Sequence, residues 1–338
     1  MKRSEMSFFG VRRHALLPAE GYLPDFKGAT GWLNTPPLTT LELRGNVVLV
    51  DFWTYTCINW LRTLGYIRAW AEKYRDRGLV VVGVHTPEFP FERDLYNVRR
   101  EVSDKNAWYP VAIDNDYAVW RAFGNRYWPA IYLADARGRI RHHQFGEGGY
   151  DDCERAIQQL LRETGDEEVP ADLVSVTPGG VEAQADWTNL RSPETYLGYA
   201  QGLSNASRGT DEGGIPGGYA VPEVLMLNQW ALSGDWTIDS GAIVLDGDQG
   251  GIAFRFHARD VHLVMGPPAP GASVPFRVHI DGQPPREAHG LDVDVEGNGT
   301  LSQQRLYQLI RQPGPISDRT LEITFLGAGA EAYVFTFG

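Results

Sequence analysis

Two short apolar runs, separated by a segment with helical spacing, constrain the fold of this chain most strongly. Val47–Trp53 is apolar apart from Asp51, and Leu79–Val84 contains only apolar residues and one glycine. Strands of this composition are buried on both faces, which is typical of a parallel sheet. Between them, apolar residues recur every three or four positions from Ile58 to Ala71. The pattern predicts a strand–helix–strand unit with parallel strands.

The residues that follow extend this unit into an α/β domain. We predict strands at 109–113, 130–134 and 140–145, and helices at 91–103, 116–123 and 150–163. The last two strands form a hairpin, because Ala136-Arg137-Gly138 between them is a turn sequence. The resulting order, β-α-β-α-β-α-β-β-α, is similar to that of thioredoxin-like proteins with an insertion.

The second half of the chain has a different composition. Residues 1–165 carry a net charge of +2 and residues 166–338 carry −14. Glycine is frequent between Gly198 and Gly218. Six short runs of alternating apolar and polar residues follow, at 252–256, 261–265, 276–280, 306–310, 321–325 and 332–337. This alternation, with turn residues about every ten positions, predicts an antiparallel β-sandwich. We therefore divide the chain into a lead (1–19), an α/β domain (20–165), a linker (166–186) and a sandwich (187–338).

Composition excludes several classes of function. The acidic second half would repel phosphate backbones, so we expect no nucleic-acid partner. The sequence contains no apolar stretch long enough to cross a membrane and no export signal, which favours a soluble, cytoplasmic protein. It has two cysteines, Cys57 and Cys153. His142 and His143 are adjacent on a predicted strand and point to opposite faces, so we expect no metal site.

Cys57 is the strongest candidate for a reactive group. It lies where the first buried strand leads into the predicted helix, so free backbone N–H groups and the helix dipole would favour its thiolate. Many free cysteines are buried and only pack. The position of Cys57 favours the reactive interpretation, with a pKa below that of free cysteine, and we expect Cys153 to be inert.

Several motifs in this sequence resemble DipZ-type thiol–disulfide interchange proteins. They are Phe52-Trp53-Thr54-Tyr55-Thr56-Cys57-Ile58-Asn59, His85-Thr86-Pro87-Glu88-Phe89, Gly124-Asn125-Arg126-Tyr127-Trp128-Pro129-Ala130, Ser192-Pro193-Glu194-Thr195-Tyr196-Leu197-Gly198-Tyr199 and Arg305-Leu306-Tyr307-Gln308-Leu309-Ile310. The resemblance extends from about residue 20 to 338. It implies a thioredoxin-like domain followed by a jelly-roll sandwich similar to carbohydrate-binding modules, and a location outside the cytoplasm.

The same resemblance assigns the site residues. Pro129 matches the cis-proline that faces the nucleophile, and Asp51 matches the buried acid that deprotonates the resolving cysteine. The resolving cysteine itself is missing, because the family's Cys-x-x-Cys is here Cys57-Ile58-Asn59-Trp60. Gly65 also departs from the family, which commonly has a proline there, and it lowers helix propensity. We add three aromatic or hydroxyl residues near the thiol as candidate substrate contacts: Trp53, Thr56 and Trp128.

The leading interpretation is a monothiol oxidoreductase. Cys57 attacks a disulfide in a protein or small molecule, and an external thiol such as glutathione releases the product, with no other cofactor. The first alternative is a degenerate redoxin that only binds a peptide, while its sandwich binds a glycan or protein. Six aromatic residues of the sandwich could form a stacking platform for the glycan, although aromatics in sandwiches are usually core: Trp187, Tyr196, Tyr199, Tyr219, Trp230 and Trp236. A thiol peroxidase is the second alternative, since Thr54-x-x-Cys57 matches part of that signature, but Val50 and Pro129 replace its proline and arginine.

Overall fold

A computed structural model describes residues 17–209 and 214–338, so most of the predicted lead (1–19) lies outside the described residues. The first sheet contains β1 (Gly21–Tyr22), β2 (Gly31–Leu33), β3 (Val47–Trp53), β4 (Leu79–His85), β5 (Val111–Ile113), β6 (Ala130–Ala134) and β7 (Arg139–Phe145), in the order β1-β7-β6-β3-β4-β5-β2. Strands β3, β4 and β5 are parallel, and β6 runs antiparallel to β3. The predicted parallel unit and the hairpin of β6 with β7 are confirmed.

In the described part of the chain four α-helices accompany this sheet: α1 (Ile58–Tyr74), α2 (Leu95–Asp104), α3 (Ala118–Ala122) and α4 (Tyr150–Arg162). Helix α1 buries the apolar face predicted from its spacing, including Leu64 and Ile67. A 3-10 turn ends it at Gly78, whose φ of +91° is a conformation that glycine adopts without strain. The sheet and these helices form a thioredoxin-like fold.

The second half of the chain is all β, as predicted. Its strands are β8 (Thr195–Tyr196), β9 (Arg208–Gly209), β10 (Gly217–Ala220), β11 (Trp230–Ile238), β12 (Ile243–Leu245), β13 (Gly250–Phe256), β14 (Asp260–Gly266), β15 (Val274–Ile280), β16 (Asn298–Leu301), β17 (Arg305–Arg311), β18 (Arg319–Phe325) and β19 (Glu331–Phe337). They form one curled antiparallel sheet rather than two separate sheets, because β11 pairs with β13 before Gly234 and with β12 after it. The two halves of this sheet enclose a common core, in which Phe254 contacts Phe335 with ring centroids 4.9 Å apart.

The two sheets share an apolar interface. Val264, Leu306, Tyr333 and Val334 from the second sheet belong to the same buried cluster as the core of the first. Tyr333 contacts Phe89 and Phe91, with ring centroids 5.1 and 4.9 Å apart. The two halves are therefore packed into one body around this cluster.

Arg62 ties helix α1 to the second sheet. Its side chain is almost completely buried and donates to the carbonyl oxygen of Phe337 at 3.0 Å and to Glu147 Oε1 at 2.9 Å. A buried guanidinium requires such partners, since an unpaired buried charge is costly. The helix that begins next to Cys57 is thus bonded to the last strand of the sandwich.

The linker also packs against helix α1. Glu182 forms an ion pair with Arg68 at 2.6 Å. A Cβ atom at Gly65 would lie 2.9 Å from Val176 Cγ1, closer than real Cβ atoms approach a neighbour. The glycine that weakens the helix in sequence terms is therefore explained by the close passage of the linker.

Candidate active site

Cys57 lies where strand β3 passes into helix α1, as predicted. Its backbone caps the helix in an extended conformation (φ −72°, ψ 111°), and its side chain is half-buried. The thiol Sγ lies 3.7 Å from the carbonyl oxygen of Trp128. The Trp128–Pro129 peptide bond is cis, the isomer that the resemblance implies. The thiol and the segment before Pro129 thus lie side by side.

Trp60 occupies the position where the resemblance described above implies a second cysteine. Its indole is completely buried and stacks on Trp53, with ring centroids 4.2 Å apart and planes 17° from parallel. Its Nε1–H donates a hydrogen bond to Asp51 Oδ2 at 3.0 Å. Trp60 therefore contacts the buried acid through a hydrogen bond instead of presenting a thiol.

Asp51 is buried without a compensating cation. Within residues 17–209 and 214–338 its Oδ1 atom has no hydrogen-bond partner, and no ion pair includes it. Burial raises the pKa of Asp51 to about 7, while the hydrogen bond from Trp60 acts in the opposite direction. Near neutral pH this carboxyl group is therefore poised between its charged and neutral forms.

Two of the three predicted substrate contacts are corrected by the structure. Trp53 and Thr56 are completely or almost completely buried, so neither side chain is accessible to a substrate. Thr56 instead donates to Glu92 Oε1 at 2.6 Å, and Glu92 Oε2 accepts from the backbone N–H of Glu88 at 2.6 Å. Glu92 therefore links the segment before Cys57 to the segment that contains Glu88.

Trp128, the third predicted contact, is partly exposed. Its Nε1–H donates to the carbonyl oxygen of Thr86 at 3.1 Å, and its ring lies 4.3 Å from that of Trp120. These contacts fix the ring beside the carbonyl that faces Cys57. Trp128 is therefore placed to contact a bound chain.

Two acidic residues near the thiol were missed as functional residues by the sequence reasoning. Burial raises the pKa of the Cys57 thiol well above its usual range, and the negative charges of Glu88 and Glu194 act in the same direction. The N–H groups of Trp60 and Asn59 oppose this effect but do not outweigh it. The expectation of a lowered pKa at the helix N-terminus is therefore wrong. Both glutamates lie in quoted family motifs, which was the available signal.

Glu88 is itself perturbed. Burial raises its pKa to about 8, assisted by the neighbouring charge of Glu92. Its Oε1 atom accepts a hydrogen bond from the hydroxyl of Tyr196, which belongs to strand β8 of the sandwich. The surroundings of Cys57 therefore include residues from both halves of the chain.

Cys153 has different surroundings from Cys57. It is fully buried in helix α4, where burial raises its pKa to about 12, and its Sγ lies 3.5 Å from His142 Nε2. His143 faces the other way and contacts Glu20 at 2.7 Å. In the described parts of the chain no three potential ligands are grouped as a metal site would need.

The aromatic residues considered for glycan binding divide into two groups. Tyr219, Trp230 and Trp236 are buried in the sandwich, and Tyr196 faces the first domain. Trp187 and Tyr199 are exposed, at 60% and 58%. Three of the six are therefore part of the sandwich core, and two remain exposed.

Comparison with known proteins agrees with this geometry. Residues 21–143 match the model of the AhpC/TSA family, and residues 192–338 match that of the thioredoxin like C-terminal domain. The chain is 41% identical to Protein DipZ of Mycobacterium bovis over 329 residues, which is 96% of this chain. The chain is therefore homologous to one part of DipZ. It spans 44% of DipZ, so less than half of that relative's length is represented.

Two further proteins are similar to the first domain alone. The thiol-disulfide oxidoreductase YkuV of Bacillus subtilis is 29% identical over 142 residues, which cover 42% of this chain and 95% of YkuV. A thioredoxin-like protein solved in solution in its oxidised form is 30% identical, with a TM-score of 0.40 over 42% of this chain and 96% of its own. Within residues 17–209 and 214–338, none of the helices is both long and apolar enough to traverse a bilayer. The comparisons do not support the expected cytoplasmic location.

Proposed function

We propose that this chain exchanges disulfides through a single thiol, Cys57. The thiolate attacks one sulfur of a substrate disulfide, forming a mixed disulfide and releasing the other sulfur as a thiolate. An external thiol then attacks the adduct, which frees Cys57 and leaves a disulfide between that thiol and the substrate sulfur. Glutathione is our candidate for the external thiol, and the substrate is a protein or small molecule that contains a disulfide.

The observation that carries this proposal is the buried indole of Trp60, at the position where the resemblance implies a resolving thiol. This indole stacks on Trp53 and donates a hydrogen bond to Asp51. Cys57 remains half-buried, and its Sγ lies 3.7 Å from the carbonyl oxygen of Trp128. The other cysteine, Cys153, is fully buried. Attack on a disulfide is therefore supported, and release by a second thiol of the chain is not.

The binding-module alternative is favoured by the raised pKa of Cys57. A thiol that is mostly protonated near neutral pH reacts slowly, because the thiolate is the nucleophile. In this alternative the groove beside Trp128 holds a peptide without turnover. A glycan on the sandwich would have to use the exposed Trp187 and Tyr199. The peroxidase alternative is the weakest, since the charged residues acting on Cys57 are acidic and would disfavour the anionic transition state.

Reaction of the folded, full-length chain with dipyridyl disulfide tests the proposal, since this probe is uncharged and is not repelled by the glutamates. We expect one equivalent of released thiopyridone, at a rate that rises with pH, and an adduct mapped to Cys57 by mass spectrometry. The adduct should persist until glutathione is added. Cys57→Ser should abolish the reaction, and Cys153→Ser is the matched control that should retain it.

Either of two results would contradict the proposed exchange through Cys57. If the folded chain forms no adduct at Cys57 even at mildly alkaline pH, the exchange mechanism is wrong and the binding module is favoured. Labelling of Cys153 before Cys57 would overturn the assignment of the nucleophile.

A further inference from the structure

The sandwich contacts the loop that follows strand β4 at two points. Tyr333 of β19 packs its ring against Phe89 and Phe91. Tyr196 of β8 donates a hydrogen bond from its hydroxyl to Glu88 Oε1. Neither contact is available to a thioredoxin-like domain on its own, because both tyrosines belong to the second half of the chain.

Glu88 lies at the centre of this loop and within electrostatic range of Cys57. Its backbone N–H donates a hydrogen bond to Glu92. Glu92 also accepts a hydrogen bond from Thr56, the residue before Cys57. Its side chain depends on Tyr196, whose hydroxyl lies 3.4 Å from Glu194 as well. The groups that act on the thiol are thus Glu88, Glu194 and the N–H groups at the start of helix α1.

We propose that Tyr196 is a positioning residue, through which the C-terminal domain holds the Glu88 carboxyl group beside the Cys57 thiol. A carboxylate and a thiolate repel each other, so a free Glu88 side chain would turn towards solvent when the thiol ionises. The hydrogen bond from Tyr196 opposes this movement. The sandwich thereby restrains the reactivity of a nucleophile that belongs to the other domain.

This inference deepens the proposed function, on which it rests, but it can be tested without a disulfide. The measurement is the rate of iodoacetamide alkylation of Cys57 against pH, mapped by mass spectrometry, in the full chain. We compare the natural protein with Tyr196→Phe, Glu88→Gln and the double variant. Tyr199→Phe is the matched control, because Tyr199 is an exposed tyrosine three residues further along the same segment.

We expect Glu88→Gln to shift the alkylation midpoint down by about one pH unit, because it removes a negative charge near the thiolate. Tyr196→Phe should shift it in the same direction by about half as much. The double variant should shift no further than Glu88→Gln, since Tyr196 acts through Glu88. Tyr199→Phe should leave the profile unchanged.

Two results would overturn the inference: a Tyr196→Phe profile identical to that of Tyr199→Phe, or additive shifts in the double variant. If Tyr196→Phe does not fold, Glu88→Asp provides the same test, because it withdraws the carboxyl group from Tyr196. An unchanged midpoint in Glu88→Asp would then contradict the proposal. Alkylation without any reaction with dipyridyl disulfide would reject the exchange mechanism while leaving this inference intact.

Discussion

Two buried aspartates, one in each domain, have opposite surroundings. In the sandwich, Asp260 is 1% exposed and its two oxygens accept from Arg259 and Arg311, each at 2.6 Å. In the thioredoxin-like domain, Asp51 is fully buried and its bond is to the neutral indole of Trp60. The sandwich acid is balanced by two positive charges, whereas no cation pairs with Asp51 in the described residues.

The comparison distinguishes a buried aspartate that stabilises the fold from one that can take part in chemistry. A carboxylate that accepts hydrogen bonds from two guanidinium groups has its charge compensated and contributes to stability. A buried carboxyl group without a cation costs free energy when it ionises, so it persists where its proton is useful. Asp260 thus has the surroundings of a stabilising acid, whereas Asp51 contacts the first turn of the helix that follows Cys57 and has no cation partner in the described residues.

The largest expected effect follows from Trp60→Cys. The change removes a buried indole that stacks on Trp53, which should lower the free energy of unfolding by about 4–5 kcal/mol. It also gives Asp51 a thiol to deprotonate, three residues after Cys57 and close enough for a disulfide. The variant should therefore reduce insulin disulfides with dithiothreitol roughly tenfold faster than the natural chain.

Trp60→Phe is the control for this gain, because it removes the hydrogen bond to Asp51 without adding a thiol. A Trp60→Cys variant that still has three free thiols after treatment with an oxidant would contradict the prediction and the groove geometry behind it.

Asp51→Asn should change the pH dependence of stability. Because burial raises the folded-state pKa of Asp51 from 3.8 to about 7, its contribution to stability is complete below about pH 4 and is lost as the pH rises through 7. Asparagine stays neutral, so its advantage over aspartate should grow across this range by about 4 kcal/mol. Urea unfolding at acidic and mildly alkaline pH measures it. The exposed Asp116→Asn should show no such trend, and an unchanged slope in Asp51→Asn would contradict the uncompensated state of the acid.

Asp260→Asn should change the free energy of unfolding in the opposite direction to Asp51→Asn, and by a smaller amount. It leaves two arginines without their carboxylate and should destabilise the fold by about 3 kcal/mol in thermal or urea unfolding. Glu296→Gln is the control, because Glu296 pairs with Arg286 at the surface and should cost less than about 1 kcal/mol. If Asp260→Asn left the free energy of unfolding unchanged, the contrast between Asp51 and Asp260 would not hold.

Local patterns predicted most of the secondary structure. The six alternating runs expected in the sandwich lie within β13, β14, β15, β17, β18 and β19. The start of helix α2 was wrong, because residues 90–93 form a 3-10 turn and Asp94 then caps the helix by accepting from the N–H of Tyr96. Strands β1 and β2 were missed, since two or three residues carry no readable alternation.

The candidate site was predictable only where one segment of chain builds it. Cys57 could be identified because its strand, turn and helix are contiguous. The bond between Glu88 and Tyr196 joins residues 108 positions apart, and no local pattern records it. The raised pKa of Cys57 depends on burial by tertiary packing and on Glu194 from the second half of the chain, so the sequence suggested the wrong sign.

Gly65 limits how this protein can be rearranged. Because a side chain there would collide with Val176 of the linker, helix α1 cannot be exchanged for the corresponding helix of a relative without displacing the linker. Val176 and Glu182 would then lose their places against the helix, together with the ion pair to Arg68. The two domains therefore cannot be exchanged independently of each other. A chimera that joins this sandwich and its linker to another thioredoxin-like domain would need a glycine at this turn of the helix.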